Sequence, residues 1–125
     1  MNAPTGAFQR NGISRGGGPL VENEHVVWVQ VDDVYADSRG FAGTTSYDGQ
    51  RVTWLREVGP DDIDSGVLTE RSGGLLETGD GYAEQWDRLP HGPVGAWSVP
   101  GERVVRVGQH VVHVDATGGR HLVLP

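Results

Sequence analysis

Turn-forming residues cut this chain into short β-prone runs, and that punctuation limits the fold more than any other feature. Breaks at Asp48-Gly49, Gly59-Pro60, Ser72-Gly73-Gly74, Gly79-Asp80-Gly81, Pro100-Gly101, Gly108 and Gly118-Gly119 separate segments rich in Val, Thr, Tyr and Trp. No window carries a sustained helical apolar repeat with caps, so no helix is predicted. Short strands about eight to twelve residues apart, each followed by a turn, are the pattern of an all-β sandwich or barrel. The gaps are hairpin-sized, which favours up-and-down connectivity. The sequence therefore predicts an antiparallel up-and-down β-barrel of about eight to ten strands.

The chain has 125 residues, a length that suits one domain with a single core. Residues 1–23 are rich in Gly, Asn and Pro and are read as an N-terminal extension, partly irregular, with Phe8 and Ile13 as its anchors. Residues 24–125 are read as one β-barrel domain. Within it, 25–31 (HVVWVQV) is apolar on both faces, as a strand buried on both sides would be. The Asp48-Gly49 pair lies between two alternating runs and predicts a hairpin that pairs 41–47 with 50–58.

With 17 acidic residues against 10 basic ones, the net charge of −7 argues against nucleic acid and against an anionic membrane surface as partners. The absence of cysteine removes disulfides, thiolate metal sites and a Cys nucleophile together. Residues 1–20 have no apolar run of signal-peptide type, so a cytoplasmic location is expected.

Two strands carry the most specific chemistry. On 34–39, Tyr35, Asp37 and Arg39 share one face, and on 82–88, Tyr82, Glu84 and Trp86 share another. An aromatic, an acid and a base on one face do not build a plain apolar core, because buried charge is costly unless paired. If both faces line the lumen of a closed barrel, they form a pocket with aromatic sides and oriented charges. The plainer alternative is an internal ion-pair network that fixes register, or a solvated outer face.

The histidines offer less. His110 and His113 are three apart on one strand, hence on opposite faces, and cannot jointly chelate a metal. His25, His91 and His121 fall in or beside turns, so neither a metal nor any cofactor is predicted. The four tryptophans, Trp28, Trp54, Trp86 and Trp97, fall one to a strand and serve either as core or as the lining of an apolar cavity.

Several short motifs occur in a shared order: Phe8-Gln9-Arg10, Trp28-Val29-Gln30, Tyr35-Ala36-Asp37-Ser38-Arg39, Phe41-Ala42-Gly43, Val52-Thr53-Trp54-Leu55-Arg56-Glu57, Tyr82-Ala83-Glu84-Gln85-Trp86 and Val107-Gly108-Gln109-His110. In this order the chain resembles a group of small, largely uncharacterised bacterial proteins with a lipocalin-like (calycin-type) β-barrel. The resemblance implies a barrel interior that also includes Thr53, Leu55 and Glu57. The chain departs from that group in having Gly40-Phe41 directly after the Tyr-x-Asp-x-Arg strand, without an insertion. It also has Leu55 where the group tends to carry His, which removes one acid–base group from the expected inner wall.

The functional expectation is a lipocalin-like barrel that binds a small hydrophobic or amphipathic molecule through Tyr35, Asp37, Arg39, Thr53, Leu55, Glu57, Tyr82, Glu84 and Trp86. Arg39 would meet a carboxylate or enolate of the ligand, or Asp37 or Glu84 when the cavity is empty. The alternative is a barrel enzyme, a cyclase, isomerase or decarboxylase of a secondary-metabolite intermediate, with Tyr35 or Glu84 as acid or base. A third class is an interaction module that pairs through an open strand edge, including a homodimer.

Overall fold

A computed structural model describes residues 5–125, all of them in strands, turns and short connections. The first eight strands are β1 (Gly6–Arg15), β2 (Val27–Val31), β3 (Val34–Asp37), β4 (Phe41–Asp48), β5 (Arg51–Val58), β6 (Ile63–Arg71), β7 (Gly74–Gly79) and β8 (Tyr82–Arg88). Each pairs antiparallel with its sequence neighbour, and β8 pairs back onto β1, closing an up-and-down barrel. The remaining strands, β9 (Val94–Val99), β10 (Glu102–Val107), β11 (His110–Asp115) and β12 (Gly118–Val123), form a separate four-stranded meander. The predicted all-β, up-and-down barrel is thus observed, with eight strands.

Two expectations change. The N-terminal stretch is no irregular extension: Gly6–Arg15 is a full barrel strand that bridges β2 and β8, with Phe8 and Ile13 buried. Residues 1–4 of that stretch lie outside the described residues. A bulge at Asn11, between the pairs Arg10↔Trp86 and Gly12↔Gln85, breaks the strand's alternation. Phe8 before it and Ile13 after it therefore reach the interior at an odd spacing, which hides the strand from a period-2 search. Residues 24–125 are likewise not one barrel, because β9 to β12 lie outside it.

The outer sheet rests on β2 and β3. Val105, Val107, Val112 and Val114 from β10 and β11 pack on Ala7, Val27, Val29, Ala36, Ala42 and Val58, all buried and all aliphatic. The barrel's interior holds a second cluster of Phe8, Val26, Trp28, Tyr35, Val52, Trp54, Leu68, Leu75 and Trp86. Strand β2 serves both, with Val27 and Val29 outward and Trp28 inward, which accounts for its apolar character on both faces.

The β4–β5 hairpin forms as expected, but its loop is displaced by one residue. Asp48 pairs with Arg51, leaving Gly49 and Gln50 in the turn, with Gly49 at φ 64°. A positive φ at the first loop position is the type II′ arrangement, which glycine takes without strain. Further along, a register shift between Ala42 and Gly43 makes Glu57 the extra residue of a bulge. Gly43 faces Arg56 there, and a Cβ at Gly43 would run into the Leu55 carbonyl.

Candidate functional site

Inside the barrel is a cavity of about 400 Å³, open at the end that carries the β3–β4 and β7–β8 turns. Phe8, Val52, Leu68 and Leu75 fill the opposite end and do not line it. Its apolar wall is Trp28, Trp54, Trp86, Tyr35 and Phe41, and its charged groups include Asp37, Arg39, Arg56, Asp64, Glu77 and Glu84. The three indoles are set by one another: Trp28 meets Trp54 and Trp86 edge-on, with ring centroids 5.6 and 5.5 Å apart. Trp28 also stacks on Phe8 at 4.7 Å and donates through Nε1 to Gln30 Oε1 at 3.1 Å.

Six of the nine residues predicted for the site line this cavity: Tyr35, Asp37, Arg39, Tyr82, Glu84 and Trp86. The other three do not. On β5 the inward residues are Val52, Trp54 and Arg56, while Leu55 and Glu57 are exposed and Thr53 lies on the same outer face. The sequence of β5 is amphipathic on both faces, and the interior takes the face with the larger apolar side chains. Glu57 instead accepts from Arg103 of the outer sheet at 3.3 Å.

Most of the guanidinium groups are already matched. Arg39 holds Asp37 bidentately, Nε to Oδ1 at 3.0 Å and Nη2 to Oδ2 at 2.8 Å. Arg56 donates to Asp64 at 2.7 Å and lies 3.9 Å above the Phe41 ring, whose centroid is 5.0 Å from Arg39. Arg10, buried on β1 opposite Trp86, is taken up by both Glu22 oxygens at 2.9 and 3.0 Å and reaches Glu84 at 3.4 Å.

Glu77 differs from the other acids. It is buried opposite Glu84 across the β7–β8 ladder, and no basic side chain of the described residues forms an ion pair with it. Its donors are neutral: Tyr82 Oη to Oε2 at 2.6 Å and Trp86 Nε1 to Oε1 at 3.2 Å. Burial, and then the neighbouring Glu84 charge, push its carboxyl up to about 7. Burial also raises Glu84, against the pull of Arg39 and Arg10.

Tyr35 adds a further unmatched group. Its ring is 1% exposed, and its hydroxyl has no hydrogen-bond partner among the described residues. Burial raises this phenol well above its ordinary value, so it stays a neutral O–H.

Glu77, Arg56, Asp64 and Phe41 were not singled out from the sequence. For Glu77 a signal existed: counting outward from the Asp80-Gly81 turn pairs Gly79 with Tyr82 and Glu77 with Glu84, so the inward parity of one strand fixes the other.

A scan against protein-family models, a search of curated proteins and a search of solved structures each found no match. The site is therefore read from its own geometry.

Three histidines meet away from the cavity, at the seam between barrel and outer sheet. His121 joins His25 through Nδ1 at 2.9 Å and His110 through Nε2 at 3.0 Å, with the rings stacked. Because His121 uses its two nitrogens in opposite directions, the three ligands do not converge, and no group of the described residues is arranged to hold a metal. Burial, then the two neighbouring rings, lower His121 to about 4, so the central ring of the three is neutral at pH 7.

Proposed function

We propose that this protein is a lipocalin-like container that binds a small amphipathic molecule inside its barrel. The observation that carries this reading is the cavity of about 400 Å³, walled by three tryptophans and open at one end. Its volume lies within the range of about 300–1,000 Å³ usual for small-molecule sites, and its mixture of aromatic area with a few polar groups is that of a binding pocket. The apolar body of a ligand would rest on Trp28, Trp54 and Trp86, and its polar end would meet the charged groups nearer the opening.

Titration with the neutral fluorophore N-phenyl-1-naphthylamine tests this. Saturable one-to-one binding, with energy transfer from the indoles, is the expected result. Absence of saturable binding, together with no small molecule released from the purified protein in mass spectrometry, would overturn it.

The enzyme reading is favoured by one observation, a buried carboxyl poised near neutrality. Glu77, at about 7, with the Tyr35 hydroxyl on the same cavity, has the properties of a general acid–base pair. Under this reading Tyr35→Phe or Glu77→Gln abolishes turnover of the substrate, and Glu84→Gln, which changes the neighbouring charge that raises Glu77, lowers it. Under the container reading there is no turnover to abolish.

A further inference from the structure

We infer that the molecule bound in the barrel carries a protonated amine, seated against Glu77 and Glu84, with its aromatic or apolar body on the tryptophan wall. This rests on the reading of the cavity as a small-molecule site and adds the charge of the ligand to it.

The charges around the cavity are unevenly matched. Arg39 is held by both oxygens of Asp37, and Arg56 by Asp64. Arg10 is shared between Glu22, which takes it bidentately, and Glu84, which it reaches only at 3.4 Å. Glu77 forms no ion pair with a basic side chain of the described residues, feels Arg39 only from beyond ion-pair distance, and faces a second carboxylate across the ladder. With Arg15 and Asp80 at the mouth included, five carboxylates, Asp37, Asp64, Glu77, Asp80 and Glu84, line the cavity against three guanidinium groups, Arg15, Arg39 and Arg56, so the excess charge is negative, and its buried part, Glu77 with Glu84, sits where water is least able to screen it.

An organic cation answers three features at once. It supplies the positive charge that the Glu77–Glu84 pair lacks. Its ammonium group can meet the indole faces of the tryptophan wall, which attract cations through the ring quadrupole. The far end of the ligand can satisfy the Tyr35 hydroxyl, which is buried in the wall with no partner among the described residues. A ligand carboxylate, by contrast, would find an unengaged guanidinium among the described residues only in Arg15 at the mouth; deeper in it would have to displace Asp37 from Arg39 or enter beside two buried acids.

Proton linkage follows. The groups that face Glu77 are Glu84, Tyr82 and Trp86 from β8 and Arg39 from the turn after β3, and those that face Glu84 include Arg10, Arg39 and Asp37. Of these the Glu77 carboxyl is raised to about 7, so its charge changes near neutrality. A cation binds its ionised form, so binding releases a proton near pH 7 and weakens as the pH falls below it.

Calorimetric titration of the whole protein with three probes of one shape, 2-phenylethylamine, 2-phenylethanol and 3-phenylpropanoate, tests the inference. At about pH 8 the amine should bind at least about tenfold more tightly than the alcohol, with the carboxylate weakest. That advantage should shrink by about pH 5.5, and at pH 7 the heat should depend on the buffer in the sense of proton release. Glu77→Gln should erase the preference for the amine and spare the alcohol, while Glu70→Gln, which removes the same charge from the exposed surface, should change neither. An alcohol or carboxylate that binds as well as the amine, or an amine preference that survives Glu77→Gln, would overturn the inference. If N-phenyl-1-naphthylamine binds and the amine does not, the cation is wrong and the container stands. If neither binds, both fail.

Discussion

On its outer side the β2–β3 wall presents Val27, Val29 and Ala36 to the second sheet, while on its inner side the same two strands present Trp28, Gln30, Tyr35 and Asp37 to the barrel interior, all but Gln30 on the cavity. Both sides are buried, yet they are built by opposite rules. The outer contact is aliphatic throughout, so it needs no hydrogen bonds and owes its strength to area and close packing. The inner wall combines indoles with acids and guanidinium groups, and among the described residues it leaves the Tyr35 hydroxyl without a hydrogen-bond partner and the Glu77 carboxylate without an ion pair. The first side offers packing alone, whereas the second carries the polar groups that the proposed ligand would meet, a division in keeping with a site that holds groups a purely structural core would not tolerate.

The sharpest way to break this contrast is to place a charge in the aliphatic contact. Val112→Asp would bury a carboxylate among Val105, Val107, Val27 and Val29 with nothing to pair it, and should cost at least about 3 kcal/mol in denaturant unfolding. If the change is tolerated, the outer sheet is not a stabilising layer.

The inner wall should respond in the opposite sense. The Glu77 carboxyl is raised to about 7 in the fold against an ordinary 4.5, so its contribution is fully present below pH 4.5 and is lost as the pH rises through 7. Glu77→Gln should therefore stabilise the protein by about 2 kcal/mol at pH 8 and leave it unchanged at pH 4, as read from thermal or denaturant midpoints across pH. A destabilised variant at pH 8 would show that the ionised carboxylate supports the fold.

The smallest effect belongs to the outer face of β5. Leu55→Ser should move stability by less than about 0.5 kcal/mol and leave the affinity for N-phenyl-1-naphthylamine unchanged, because Leu55 is 42% exposed and faces away from the cavity. Weakened probe binding would put position 55 back on the inner wall.

Local alternation made much of this molecule legible. Tyr35 with Asp37, and Tyr82 with Glu84 and Trp86, point inward as their period-2 spacing requires, and the Asp48-Gly49 signal marks a true hairpin to within one residue. What the sequence concealed depends on non-local pairing or on bulges. Spacing alone does not separate β9 to β12 from barrel strands, since their turns have the same lengths. The bulge at Asn11 disguises β1, and the inward parity of β5 depends on whether Trp54 or Leu55 fills the interior. The meeting of His25, His110 and His121 depends on the outer sheet docking beside the start of β2.

The β1–β8 seam also governs how the protein can come to its folded state. Every other junction of the barrel joins strands adjacent in the chain, but this one joins Phe8 to Arg88, so its loop-closure cost is the largest and its contacts form late. During synthesis β1 emerges well before its partner and must wait for roughly 70 residues, several seconds at usual elongation rates. An exposed β-strand is a template for wrong pairing, and β1 carries Arg10, Asn11 and Arg15 along its length. The polar interruptions that make this strand hard to recognise are the same ones that protect it while its edge stands open.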